Sequence, residues 1–140
     1  MNDYLDVLKG KIDSRLINGS DLAYLGDAYY ELWMRTYFLS LGITKPSELN
    51  KKVRICVSAS THAYIVDNIL DSLSEEEHDV YTRGRNYHYR HKAKNASVSD
   101  YVKSSGLEAI IGYLYLNNKN ERLNGLMNQI MEIIKGKLQA

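Results

Sequence analysis

A single proline, Pro46, stands in this chain of 140 residues. Proline is the residue that a helix interior excludes most strongly, because it lacks an N–H and its ring clashes with the preceding turn. Almost the whole length is therefore free to run as helix. Long windows with apolar residues at three- and four-residue steps use that freedom. The expected fold class is all-α, in one domain over residues 1–140. A chain of this size buries a real core without disulfides or a structural metal. Cys56, the lone cysteine, cannot form an internal disulfide and fits a reducing cytosol. The opening residues, MNDYLDVLKG, hold two Asp and no apolar run. No stretch approaches the ~18 apolar residues of a membrane span. A soluble, cytoplasmic protein without a membrane partner is expected.

Caps and breakers divide the chain. A short helix is expected near residues 3–8. A long one should start at Ser20 as N-cap and run to about Leu39, with Gly42 ending it. Pro46 opens the next helix at its first turn. The segment "KPSELNKKVRICVSASTHAYIVDNILDSL" is too long for one helix and is expected to break near residues 58–61. Within it "ICVSAS" is a weak strand candidate between helical flanks. Ser74 with Glu77 three residues on forms a capping pattern, and the helix it starts should fade near Gly84. "GRNYHYRHKAKNASVS" has no apolar period and reads as a basic loop. Ser99 looks like the cap of a strong helix, "DYVKSSGLEAIIGYLYLNN", and a last helix covers about residues 120–135.

Net charge is only +1, so the overall balance announces no polyanionic partner. Its distribution says more. Residues 66–80 hold six acids and no Lys or Arg, whereas residues 83–103 hold six Lys or Arg, two His and one acid. Such runs are ordinarily solvated faces.

The helix "LAYLGDAYYELWMR" contains an oddity. Its apolar residues keep a helical period, yet Gly26 and Asp27 sit at its centre. Glycine costs a helix interior about 1 kcal/mol relative to alanine, and Asp prefers caps. A bare patch beside a carboxylate admits close approach, either by another helix or by a ligand. The later helix repeats the pattern: Glu108 stands among Leu107, Ala109, Ile110 and Ile111, with Gly106 and Gly112 nearby. An ionised Glu is rarely buried unless paired or bound to a metal. Two such carboxylates suggest a site where the helices cross. Its oxygen ligands suit Mg²⁺ or Mn²⁺; the plain alternative is an ion pair with Lys or Arg. There is no phosphate-binding glycine loop, no HExxH and no zinc-type cysteine spacing. His88 and His91 more readily contact phosphate or solvent than a metal.

Together, "LAYLGDAYYE" and "LEAIIGYLYL" resemble the two signature motifs of the ribonuclease III catalytic domain. The basic stretch between them is similar to that of the compact Mini-ribonuclease III branch. The resemblance runs from the Ser20 helix through the last helix. Residue by residue it makes Asp27 and Glu108 the catalytic residues and Mg²⁺ ligands. It has two departures. Ala23 stands where the wider family has a Glu, and Ser105 where it has an Asp. Both resemble the compact branch, and both leave fewer protein carboxylates for the metal. Glu31 also matches the family pattern and is expected to be a supporting residue, because Asp27 already explains that face.

What the resemblance implies is an all-α ribonuclease III endonuclease domain working as a two-fold homodimer. Its substrate would be double-stranded RNA, and its reaction metal-dependent hydrolysis leaving 5′-phosphate and 3′-hydroxyl ends. Its role would be maturing the large-subunit ribosomal RNA precursor, with room for an accessory ribosomal protein. No double-stranded-RNA-binding domain is expected. The RNA grip then falls to Arg83, Arg85, Arg90, Lys92, Lys94 and Asn95, with His88 and His91 beside them. Trp33, Tyr37 and Phe38 exceed what one helix face needs and suggest the dimer interface. A catalytically inert RNA-binding relative is the alternative. A helical interaction module without RNA is a weaker one.

Overall fold

The computed structural model describes residues 3–10, 17–88 and 97–139. Within these there are six α-helices and no strand. The first, α1, spans Gly19–Ser40. Asn18 caps it by accepting from the Asp21 N–H at 2.9 Å, and the expected cap, Ser20, lies inside the first turn and donates to Asn18 at 2.6 Å. Gly42, at φ +89°, then turns the chain. Next come α2, Pro46–Val57, with proline in its first turn, and α3, Ala59–Ile69. Ser58 separates them with extended backbone and caps α3 through the Thr61 N–H. The expected break is therefore where the pattern put it, and "ICVSAS" is a helix junction instead of a strand. A single 3₁₀ turn, Leu70–Ser72, leads to α4, Glu75–His88. The last two helices are α5, Val98–Leu116, and α6, Asn120–Gln139. Ser97, two residues before the expected Ser99, caps α5. Residues 3–10 form turns where a short helix was expected. They dock on the end of α5 through a bond from the Tyr115 hydroxyl to the Leu5 carbonyl at 2.9 Å.

The core is built around α5. It is buried nearly all round, from Val102 to Leu116, and α1, α3, α4 and α6 all pack on it. A helix apolar on every side belongs at the centre of a bundle, and "LEAIIGYLYL" leaves no polar face to solvate. No helix among the described residues is long and apolar enough to cross a membrane.

One expectation fails at α4. The basic stretch was read as a loop from Gly84 onward, but the helix continues to His88. Gly84 does not stop it, because it is a contact point. A methyl there would press on the Ala109 side chain and the Ser105 carbonyl of α5. Packing against α5 outweighs the helix-breaking tendency of one glycine.

The other end of α4 is tied to α6. Ser74 and Glu77 exchange the two bonds of a capping box, each at 3.0 Å. The same Glu77 carboxylate, almost fully buried, takes two bonds from Arg122 at 2.8 and 3.0 Å. Burial alone would raise the Glu77 carboxyl, but hydrogen bonds from Arg122 and the Ser74 backbone, with the Arg122 charge, hold it below its usual value. A carboxyl lowered by folding stabilises above its unfolded pKa, and that stability is lost as pH falls through the folded value. Arg122→Ala, which strands a buried carboxylate, should cost about 2 kcal/mol at pH 7, discounted for the partial exposure of Arg122. The variant should also lose less further stability than the wild type between pH 5 and 3. Thermal melts across that range check both.

Candidate active site

The glycine at the centre of α1 has a structural cause. A methyl on Gly26 would collide with the Glu108 carbonyl of α5, and a methyl on Gly112 would collide with the Leu22 carbonyl of α1. The two helices thus cross backbone against backbone, each through its own glycine. The clearing beside Asp27 is filled by α5, so Gly26 serves the helix crossing and not a ligand's approach. Its effect on Asp27 is indirect but decisive: it brings the helix carrying Asp27 against the helix carrying Glu108.

The two carboxyls meet at this crossing. Asp27 is exposed and Glu108 half-buried. Burial first, then a hydrogen bond and the charge of Asp27, push the Glu108 carboxyl up to about 9. Two carboxylates sharing one site cannot both ionise at low cost. They open into a cleft of 470 Å³, walled by Ser20, Tyr24, Tyr101, Ser104 and Ser105. Ala23 lines it too and adds no oxygen. The Ser105 hydroxyl donates to the Tyr101 carbonyl at 3.2 Å. No group of three or more His, Cys, Asp or Glu is gathered for a metal among the described residues. The donor set is thus two carboxyls sharing one site, neighbouring hydroxyls and open room. It fits a hard divalent cation that keeps most of its positions for water and phosphate oxygens, and it fits poorly any metal that needs nitrogen or sulfur ligands.

A larger depression of 770 Å³ runs along the start of α4. Exposed Glu75, Glu76 and Asp79 line it, and every lining residue lies between 73 and 82. It joins no second helix, and its acidic wall would repel a polyanion.

Sequence reasoning missed His62. The residue sits in the first turns of α3 and is 1% exposed. Its Nδ1 lies 2.6 Å from the Ser104 Oγ on α5. The Tyr30 ring of α1 meets it edge-to-face at 4.6 Å, and the Tyr30 hydroxyl donates to the Cys56 carbonyl at 2.7 Å. Burial holds the imidazole down to about 4, against a smaller upward pull from Asp27. It is neutral at physiological pH. The signal was present, because His62 shares the helical period of the buried Ile65, Val66 and Ile69.

Other expected residues fall as follows. Glu31 pairs with Arg35 at 3.0 Å, four residues on, with both side chains largely exposed. Arg83 lies on α4, and its guanidinium donates to the Ile17 carbonyl ahead of α1. Arg85 is exposed on the same helix. Arg90, His91, Lys92, Lys94 and Asn95 lie outside the described residues. Trp33, Tyr37 and Phe38 are half-buried against the core, with Trp33 and Tyr37 stacked at 5.6 Å. The exposed large apolar side chains of α1 are Tyr24, Leu32 and Leu39.

The match to known families follows the same helices. The family model described as "Ribonuclease III domain" fits residues 20–119, from the first turn of α1 to just past α5. This chain belongs to the ribonuclease III family. It is 39% identical over 127 residues to a Mini-ribonuclease 3 of Streptococcus pneumoniae, covering 89% of this chain and 99% of that one. It is 43% identical over 118 residues to a Mini-ribonuclease 3 of Enterococcus faecalis, covering 83% and 89%. A crystal structure of a Fusobacterium nucleatum protein superposes with a TM-score of 0.76 at 36% identity, covering 88% of this chain and 96% of that one. Its close relatives place it in the Mini-ribonuclease 3 branch. Both helices that cross at the carboxylates lie inside the segment matched by the ribonuclease III model.

Proposed function

We propose that this ribonuclease III-family chain is an endoribonuclease that cleaves double-stranded RNA with Mg²⁺ or Mn²⁺ and matures the large-subunit ribosomal RNA precursor in the cytoplasm. The observation that carries the reading is the meeting of Asp27 and Glu108 in an open cleft at the α1–α5 crossing. Its names come from relatives called Mini-ribonuclease 3.

Asp27 and Glu108 would hold the cation. When bound, a divalent cation supplies Lewis acidity and an acidified water for phosphodiester hydrolysis, with 5′-phosphate and 3′-hydroxyl products. The chain's own residues do the rest. The glycine crossing fixes the two carboxyls relative to each other. Exposed Asp27 faces the solvent side from which a phosphate arrives, and half-buried Glu108 anchors the inner wall. Ser20 and Ser104 offer hydroxyls to oxygens entering the cleft. Ala23 and Ser105 contribute no carboxylate, so substrate and solvent oxygens must complete the cation's shell.

The RNA grip is assigned to Arg85, Arg90, Lys92, Lys94 and Asn95. Arg83 joins them, and one of its guanidinium nitrogens also ties α4 to the Ile17 carbonyl. Duplex RNA offers phosphates and 2′-hydroxyls across its minor groove and little base information. A homodimer suits it, because an isologous pair presents one cleft to each antiparallel strand. Tyr24, Leu32 and Leu39 form one exposed stripe along α1. Of the three, Tyr24 also lines the cleft, so pairing along the stripe would bring two clefts to one side of the dimer. An accessory ribosomal protein remains compatible with this reading.

Asp27→Asn and Glu108→Gln should each reduce cleavage of long duplex RNA in Mg²⁺ by at least about 100-fold with circular dichroism unchanged. Near-wild-type cutting by either folded variant would remove that residue from the site. Changing Arg85, Lys92 and Lys94 together to Ala should flatten the salt dependence of duplex binding by roughly one unit per lost phosphate contact. Titrations in Ca²⁺ at several salt concentrations measure it, and an unchanged slope would move the grip elsewhere. Sedimentation should give twice the 16.1 kDa chain mass, and Leu32→Glu should give a monomer. A wild-type monomer that cuts both strands would defeat the dimer.

A further inference from the structure

His62 is buried, and one of its ring nitrogens is idle. Nδ1 is bonded to Ser104, while Nε2 is buried with no hydrogen-bond partner among the described residues. A buried polar atom left without a partner destabilises by about 1–3 kcal/mol, so its retention calls for a reason. Packing supplies none, because an apolar side chain would fill the same space without that penalty. The position of the ring supplies one. His62 stands on α3 and touches both helices that bear the carboxyls. It meets α1 at Tyr30, three residues after Asp27, and α5 at Ser104, four residues before Glu108. Residues three and four apart share a helix face, so Ser104 and Glu108 open into the same cleft.

A neutral imidazole carries one N–H, and its tautomer decides what Ser104 can do. If the proton is on Nε2, Ser104 must spend its hydroxyl proton on Nδ1, and a buried N–H is orphaned. If the proton is on Nδ1, Ser104 accepts, and only a bare lone pair on Nε2 is orphaned. Unpaired buried donors are the rarer case in proteins. The second tautomer also leaves the Ser104 hydroxyl proton free. We propose that His62 is a positioning residue which, by donating from Nδ1 to Ser104 Oγ, turns the Ser104 hydroxyl proton into the cleft, where it donates to a phosphate oxygen of bound RNA. This rests on the nuclease reading above and extends it from the two carboxyls to a third helix. It also gives Ser104 a role as a neutral hydroxyl donor beside the two acids.

Three single substitutions, their combinations and one spectrum test it. Ser104→Ala and His62→Leu should each lower kcat on duplex RNA by about 10- to 100-fold, the range for a hydrogen bond to a charged group, with KM little changed because the bond strengthens as charge develops on the reacting phosphate. Combined, they should cost no more than either alone, because His62 acts only through Ser104. His62→Asn keeps an amide donor near the Nδ1 position and should recover activity to within about threefold of wild type. A long-range ¹H–¹⁵N spectrum should find the His62 proton on Nδ1 in the wild type, with the signal assigned by its loss in His62→Asn. That readout does not depend on cleavage or on metal. An Nε2-protonated ring overturns the proposal. Additive losses in the double variant overturn it too, since His62 would then act on the fold and not through the hydroxyl. If His62→Leu does not fold, His62→Asn with and without Ser104→Ala carries the same cycle, and a folded His62→Asn as inactive as Ser104→Ala overturns it. Wild-type protein that leaves duplex RNA uncut in Mg²⁺ overturns the nuclease reading and this extension with it. Cutting by the wild type combined with additive losses overturns the extension alone.

Discussion

Everything about the cleft follows from two peptide backbones in contact. Gly26 lies against the Glu108 carbonyl and Gly112 against the Leu22 carbonyl, so α1 and α5 approach as closely as helices can. Each glycine lowers helix propensity locally, and close-packed contact along the crossing offsets that loss. The separation of Asp27 and Glu108 is therefore set by main chain. Side-chain substitutions elsewhere in the core change volumes, but they do not change the thickness of a peptide group. The other glycine contacts repeat the device, with Gly84 and Gly106 seating α4 on α5. The central helix is gripped on two sides through missing side chains.

Much of this was legible in the sequence. A single proline, the Pro46 start, the Ser74–Glu77 box and the break at Ser58 all obey local rules, and the structure follows them. The pairing of Asp27 with Glu108 was legible because both residues violate local rules in the same manner, as acids amid apolar residues and glycines. Local conflicts of that kind concentrate at functional sites. The errors also have physical causes. Gly84 looked like the end of a helix because propensity is local, whereas its role is tertiary. At Gly26 the choice between a helix and a ligand stayed open, because nothing in one helix says which backbone will occupy the gap. His62 stayed hidden because its partners, Ser104 and Tyr30, lie on other helices, and only packing brings them together.

The electrostatics divide the molecule's charged groups by task. Glu77 is held ionised by Arg122 and ties α4 to α6. Among the described residues Glu108 has no such cation, and it shares its surroundings with another acid. The first arrangement is a finished ion pair, and the second is an incomplete one. Carboxyls of the same chemistry thus separate into a brace and a candidate binding group by what faces them.

The crossing has a consequence for synthesis of the chain. Asp27 and Glu108 come from near opposite ends of the sequence, with α2, α3 and α4 between them. Contacts so distant along the chain form only after a long loop has closed. While the ribosome is still making the middle helices, α1 has emerged but its crossing partner has not. The pair that defines the cleft cannot assemble on a partial product. The cleft is therefore absent from a nascent chain until α5 has left the exit tunnel. The crossing forms in one late step of folding.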